Sequence, residues 1–349
     1  ATLEQILGWA YPPRRIIAFL MPNFFGNPAR HAYWDVFSGE TVPATVNALG
    51  EPIHTIYWGI KNYVEGGAYL GILPMALAAF GLVAAWGSHR ETGATDGPPY
   101  RGILAALGAL SLTFIFGLPT YALLYYLLPF IDQLHSPFRW VFALTLSVAA
   151  LAGYGAEALA LASRQGQALA SRQGQAWAGQ DDSGGARLRR WAGAFGWGRA
   201  GAGVAVLAGL GLSRLLYPQI EPLVERVFRT LALAEQAFAD ARMFYSYQFR
   251  NVLLLGVFLT AGGIVFLASR TRLRLPRRLG GWAAWQGLAV AVIALDLMAA
   301  FWGFTPAADP ALLDFTPPAL EWLQGQYAQH GPFRITTLDA PGAATMNAN

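Results

Sequence analysis

The sequence predicts an all-α integral membrane protein with about six transmembrane helices, external interfacial and amphipathic helices, and the start of an external C-terminal region. Three observations carry that prediction. Of 349 residues, 55% are hydrophobic and 13% charged, with a mean hydropathy of +0.36, whereas a soluble domain devotes roughly a quarter of its residues to Asp, Glu, Lys and Arg. The apolar residues gather into runs of about 20, the helix length that crosses a hydrocarbon core. The arginines gather in connectors that alternate with aromatic-rich ones. This composition excludes an ordinary soluble enzyme. The net charge of +4 is almost wholly arginine, since Lys61 is the sole lysine, and that total alone does not argue for a nucleic-acid partner. With no cysteine, disulfides, thiolate metal sites and cysteine nucleophiles are excluded.

Residues 1–68 form an external region rich in aromatic, Pro, Asn and Gly residues. The chain opens at Ala1 without a basic segment, a short apolar run and a small-residue cleavage site, so no leader peptide is read there. It closes on Thr345-Met-Asn-Ala-Asn349 without a turn or cap, and the 349 residues are expected to be an internal piece of a longer polypeptide. The bundle, 69–303, is expected to hold spans near 69–87, 102–118, 139–162, 195–217, 250–269 and 282–303. Glycines at 201, 203, 209 and 211 lower helix propensity in the fourth, but in lipid they let helices approach closely. No strand precedes them, which argues against a nucleotide-binding glycine loop.

Cytoplasmic loops are enriched in Lys and Arg. Arg164, Arg172, Arg187, Arg189 and Arg190 fall between spans three and four, and Arg270, Arg272, Arg274, Arg277 and Arg278 between five and six. Six spans put both loops on one side, assigned as cytoplasmic, and leave 1–68, 119–138, 218–249 and 304–349 outside. The insertion 163–194 carries a duplicated octapeptide starting at Ser163 and Ser171; it is too polar to order itself, and its arginines are expected to touch anionic headgroups. Outside, 220–245 has apolar residues at three- and four-residue spacing, the pattern of an amphipathic helix lying along the membrane or covering the bundle. Tyr121–Ile131 is apolar, too short to span and interrupted by Pro129, so it is expected to be interfacial or re-entrant.

Three motifs stand out: Pro22-Asn-Phe-Phe-Gly26, Tyr63-Val-Glu-Gly-Gly-Ala-Tyr-Leu-Gly71 at the entry to the first span, and Leu134-His-Ser-Pro-Phe-Arg-Trp140 opening the third. With Asp296-Leu297 in the sixth span and the 318–337 stretch containing Phe333-Arg-Ile335, they resemble the YfhO family of bacterial polytopic membrane proteins over nearly the whole chain. That family is similar to membrane glycosyltransferases of the GT-C class. The resemblance implies an inner-membrane enzyme that uses a polyprenyl-phosphate sugar outside the cytoplasm, with a catalytic acid in a first external loop expected upstream of residue 1. The catalytic residue is therefore unknown. The resemblance also admits a divalent cation.

A lipid-linked sugar phosphate needs cations at the outer interface to hold phosphate and offset leaving-group charge. Arg139, at the start of a span, and Lys61 are the candidates; their alternatives are a snorkelling arginine and a solvated loop lysine. Asp296 lies within an apolar span, where an ionisable residue hints at function, with Arg139 as its expected partner or a helix-end hydrogen bond as the alternative. Glu65 precedes the first span and either binds substrate or caps that helix. Asn23 is either a polar anchor in an aromatic-lined external pocket or a turn residue after Pro22. His31, His54, His89, His135 and His330 have no metal-ligand spacing, and no permanently bound cofactor is predicted. Two rival functions remain: a non-catalytic scaffold for other integral membrane subunits, and a transporter of a lipid-linked intermediate.

Overall fold

The computed structural model describes residues 2–60, 63, 66–92, 100–131, 136–171, 183–271, 273–276, 282–304, 310 and 316–334. The chain divides into two units, residues 1–304 and 305–349. In the second, helix α10 (Pro318–His330) has no buried residue.

The first unit is mostly helical. Its helices are α1 (Leu3–Gly8), α2 (Ile72–Thr92), α3 (Tyr100–Ile115), α4 (Thr120–Leu127), α5 (Val141–Ser171), α6 (Ser183–Leu215), α7 (Tyr217–Thr230), α8 (Ala241–Ala268) and α9 (Ala284–Phe301). Four segments are long and apolar enough to cross a membrane: 137–164, 185–215, 241–268 and 284–301. A fifth results if α3 and α4, bent by 93° at their junction, count as one span. The bend has a local cause, because Gly117 takes φ +63° and Pro119 precedes α4, where it cannot continue a helical hydrogen-bond ladder. The apolar part of α2 is Ile72–Ala84, about 20 Å of helix at 1.5 Å per residue.

Close helix crossings build the bundle. A Cβ on Gly155 of α5 would overlap the Leu77 carbonyl of α2, and one on Gly203 of α6 would run into Thr260 and the Gly256 carbonyl of α8. Small residues at such contacts let backbones approach in the absence of a hydrophobic drive between lipid-facing helices. Around the crossings pack Leu73, Phe80, Leu159, Phe266 and Trp285.

Within 2–69 the described residues, 2–60, 63 and 66–69, form a layer over one end of the bundle. Tyr11 N donates to Ile115 O at the end of α3 (2.8 Å), and Arg214 Nε, at the end of α6, donates to Val36 O (3.1 Å). Ser246 Oγ in α8 donates to Asp35 Oδ1 (3.0 Å), and Asn23 Nδ2 to Ala300 O at the end of α9 (3.0 Å). One face therefore gathers the end of α3, the end of α6, the start of α8 and the end of α9. Arg189, Arg190 and Arg270 share a cavity at the opposite end, which brings these three arginines of the two arginine-rich stretches together.

The layer also contains two small antiparallel sheets that helical periodicity gives no sign of. β1 (Gly26–Asn27) pairs with β4 (Ile56–Tyr57), and β2 (Ala32–Asp35) with β3 (Glu40–Pro43). Gly26, the last residue of the Pro-Asn-Phe-Phe-Gly motif, takes φ +89° with the Ile56 carbonyl where a Cβ would stand; only glycine fits both demands. Beneath the sheets Phe25, Ile56, Trp58, Phe228, Phe238 and Phe244 form a second core.

The expected amphipathic helix over 220–245 is corrected to α7, Tyr217–Thr230, with Phe228 buried and Arg229 paired to Glu225 (2.5 Å) and Glu235 (2.8 Å). The chain breaks at Leu233, which takes φ +72°, a costly value for a leucine. Asp240 then accepts from Met243 N (2.7 Å) and caps α8, which starts at 241 instead of 250 because that cap satisfies an otherwise orphaned donor.

Candidate functional site at the covered end of the bundle

Asn23 is held in a turn between Pro22 and β1, where its carbonyl accepts from Gly26 N (3.0 Å). Its side chain does more than a turn requires. Oδ1 accepts from Tyr63 Oη (2.8 Å) and Asn27 Nδ2 (3.1 Å), while Nδ2 reaches the end of α9. Asn251 Nδ2 donates to the Asn23 carbonyl (3.2 Å) and to Gln248 Oε1 (2.9 Å), and Gln248 Nε2 donates to Phe24 O (2.8 Å). This network satisfies its buried members from several elements at once, which fixes the layer against α8 and α9.

Beside it lies a cavity of 190 Å³ whose wall includes Asn23, Arg30, Tyr33, Trp34, Tyr247 and Arg250. Arg30 comes from the turn after β1 and donates to Trp302 O (3.3 Å). Arg250 is exposed on the second turn-pair of α8. Two guanidinium groups thus share one concavity, and among the described lining residues there is no carboxylate to neutralise them. Trp34 is 48% exposed, leaving an aromatic surface in the wall. Burial pushes the Tyr33 hydroxyl above its ordinary range, and the charges of Asp35 and Asp240 add to this against Arg242. The phenol therefore stays a neutral hydrogen-bonding group near neutral pH. Paired guanidinium groups suit a phosphate, and flanking aromatic faces suit the apolar side of a sugar ring.

Asp296 is 2% exposed in α9. It accepts from Tyr69 Oη and from Ile72 N (2.8 Å) at the first residue of α2. Arg199 of α6 donates through Nη2 to Ile72 O (3.2 Å). The carboxylate thus caps α2 from a neighbouring helix, at the end where the helix dipole favours negative charge, and a cation stands behind the same residue. The expected partner Arg139 is corrected: it is exposed in the 3-10 turn Pro137–Trp140, and the partners of Asp296 are Tyr69, Ile72 and Arg199, because the α5 entry packs instead against Tyr11, whose ring lies 4.8 Å from Phe138. Lys61 and Glu65 lie outside the described residues, as does His135.

Of the three predicted residues that are described, Asn23, Arg139 and Asp296, only Asn23 lines the two-arginine cavity; it and Asp296 share the wall of a much smaller void of 20 Å³ with Tyr69 and Asn251. Arg30 and Arg250 were not singled out from the sequence, since neither lies in a motif. Arg15 was also overlooked. It is 3% exposed, donates from Nη2 to Tyr57 Oη (2.7 Å) and from Nη1 to Gly66 O (3.4 Å), and stacks over Phe25 at 5.2 Å. A Cβ on Gly59 or Gly66 would overlap its guanidinium, which gives the Gly66 of the first-span motif a physical reason. Among the described residues no three His, Asp or Glu side chains converge on a metal-sized site. Comparisons with protein-family models, with curated proteins and with solved structures each returned no match.

Proposed function

We propose that the chain is part of a YfhO-like membrane glycosyltransferase of the bacterial plasma membrane, and that the two-arginine cavity holds the sugar phosphate of a polyprenyl-phosphate donor. The observation behind this reading is the joint presence of Arg30 and Arg250 with Tyr33, Trp34, Tyr247 and Asn23 around one cavity. In this reading the guanidinium groups grip the phosphate and offset the charge that grows on it as the glycosidic bond breaks. Tyr33 and Trp34 flank the sugar, and Asn23 holds the loop that carries the site. The acid that activates the acceptor is expected upstream of residue 1. The reading also takes α2 and α3 as crossing the membrane, for six spans in all, with 1–68 and 304–349 outside the cytoplasm.

The test is equilibrium binding of a short-chain polyprenyl-phosphate sugar to the detergent-purified protein. Arg30→Ala and Arg250→Ala are each expected to weaken binding about tenfold, the loss of one charge-assisted hydrogen bond, while Arg139→Ala leaves it unchanged. Equal losses in all three variants would overturn the cavity assignment. The scaffold reading has its own observation. Gly198, Gly201, Ala205 and Gly209 lie exposed along α6, and only 11% of the most apolar window of that helix is buried. It predicts a complex whose native mass falls with Gly201→Leu while donor binding is absent in every variant.

A further inference from the structure

The end of the bundle opposite that layer has a cavity of its own, about 590 Å³, between the end of α5, the start of α6 and the end of α8. Its wall includes Ser163, Arg189, Arg190, Trp197, Ser269 and Arg270. Arg189 and Arg190 of α6 and Arg270, two residues past the end of α8, line it together. Among the described residues no carboxylate lines the cavity or pairs with these arginines; Asp181 and Asp182, the nearest acids in sequence, lie outside the described residues. Ser163 and Ser269 are buried at its base.

Two further features make this more than a charged rim. A Cβ on Gly193 would stand 3.0 Å from Arg270 Nη1, so the glycine lets the α8-end guanidinium lie close against α6 and form part of the wall. Trp197 is 67% exposed and Trp191, one and a half turns before it, 45%. Exposed tryptophans at the end of an apolar helix belong at the level of lipid headgroups, which places the cavity at that depth. Basic pockets between helices at this level suit phosphate-bearing headgroups, and arginine binds phosphate oxygens in pairs.

We propose that this cavity binds the phosphate group of an anionic phospholipid headgroup. The site is independent of the two-arginine cavity and of the transferase reading. Its ligand chemistry, a phosphate anion, is shared by free inorganic phosphate, and the experiment separates the two sources. The full chain, purified in a mild detergent, is titrated with phosphatidylglycerol, phosphatidylcholine or inorganic phosphate, and bound adducts are counted by native mass spectrometry. The expected result is one retained phosphatidylglycerol and no comparable phosphatidylcholine. The double variant Arg190→Ala/Arg270→Ala is expected to weaken that binding about thirtyfold, two charges at ~1 kcal/mol each. Arg274→Ala, which removes the same charge outside the cavity, reports on folding and general surface charge and should keep the adduct within a few-fold; the Arg190→Lys/Arg270→Lys pair, which keeps the charge but not the paired donors, should bind more tightly than the alanine pair and less tightly than the wild type. Equal retention by wild type and the alanine pair would overturn the site, as would equal loss with Arg274→Ala. Binding of inorganic phosphate without phosphatidylglycerol would overturn the headgroup assignment.

Discussion

Tyr11 and Arg15 show how the covering layer is locked to the bundle by single groups. Tyr11 is 1% exposed, donates to Gly66 O (2.9 Å) and stacks on Phe138. Burial raises its pKa to about 12, against the opposing charge and hydrogen bond of Arg15. In the unfolded chain the phenol ionises near pH 10, so between about pH 10 and 12 the unfolded state gives up a proton that the folded state keeps. Stability is therefore full below pH 10 and falls as pH rises toward 12, by about 2–3 kcal/mol for this group. Thermal unfolding followed from pH 9 to 12 should show that slope, and Tyr11→Phe should flatten part of it. Asp296 offers the complementary test at the same scale. Asp296→Ala leaves Ile72 N and Tyr69 Oη without their acceptor and Arg199 without its counter-charge, a loss of ~3 kcal/mol for a broken buried charge partner. Asp296→Asn keeps an acceptor for Ile72 N and should lose clearly less. If both variants melt with the wild type but lose donor binding, the residue serves the substrate and not α2.

At the scale of elements, two glycine contacts carry the bundle. Gly155 meets the α2 backbone, whereas Gly153 on the same helix has nothing within 4 Å. Gly155→Leu is expected to abolish the folded bundle and Gly153→Leu to leave its melting temperature within a few degrees, measured by thermal unfolding in detergent. Leucine outranks glycine in helix propensity, so any loss at 155 comes from the crossing alone. Helical elements were readable from apolar run length: the spans expected at 139–162, 195–217 and 282–303 each fall on a helix. Their ends were less so. The three- and four-residue spacing continues from Val224 to Phe238 because both α7 and the loop after it pack Phe228 and Phe238 into one core, and periodicity cannot distinguish one buried helix from a helix and a buried loop. The strands at 32–35 and 40–43 hide among aromatics whose alternation is too short to count.

The whole molecule has one covered end and one arginine-rich end, and that polarity was visible in where the arginines cluster. The two-arginine cavity was not, because Arg30 and Arg250 are 220 residues apart and only the packing of the layer on α8 brings them together. Sequence order likewise leaves open whether α2 and α3 complete a crossing. Ile115 at the end of α3 and Phe138 at the entry to α5 both touch Tyr11, so the chain returns to the covered face whether that hairpin crosses the membrane or only enters it. The absence of cysteine makes this measurable with single-cysteine variants and a membrane-impermeant maleimide. Ser38→Cys, exposed in the covering layer, should be labelled in cells whose outer face alone is accessible. Arg274→Cys, exposed after α8, should be labelled only after the membrane is opened. Tyr100 is 55% exposed at the start of α3, and Arg101 beside it pairs with Glu157 deep along α5 (3.8 Å). Six spans require Tyr100→Cys to behave like Arg274→Cys, because about 24 Å of α3 at 1.5 Å per residue then separates it from the covered face. Labelling that matches Ser38→Cys, or protection from both sides, would make the α2–α3 pair re-entrant and leave four spans.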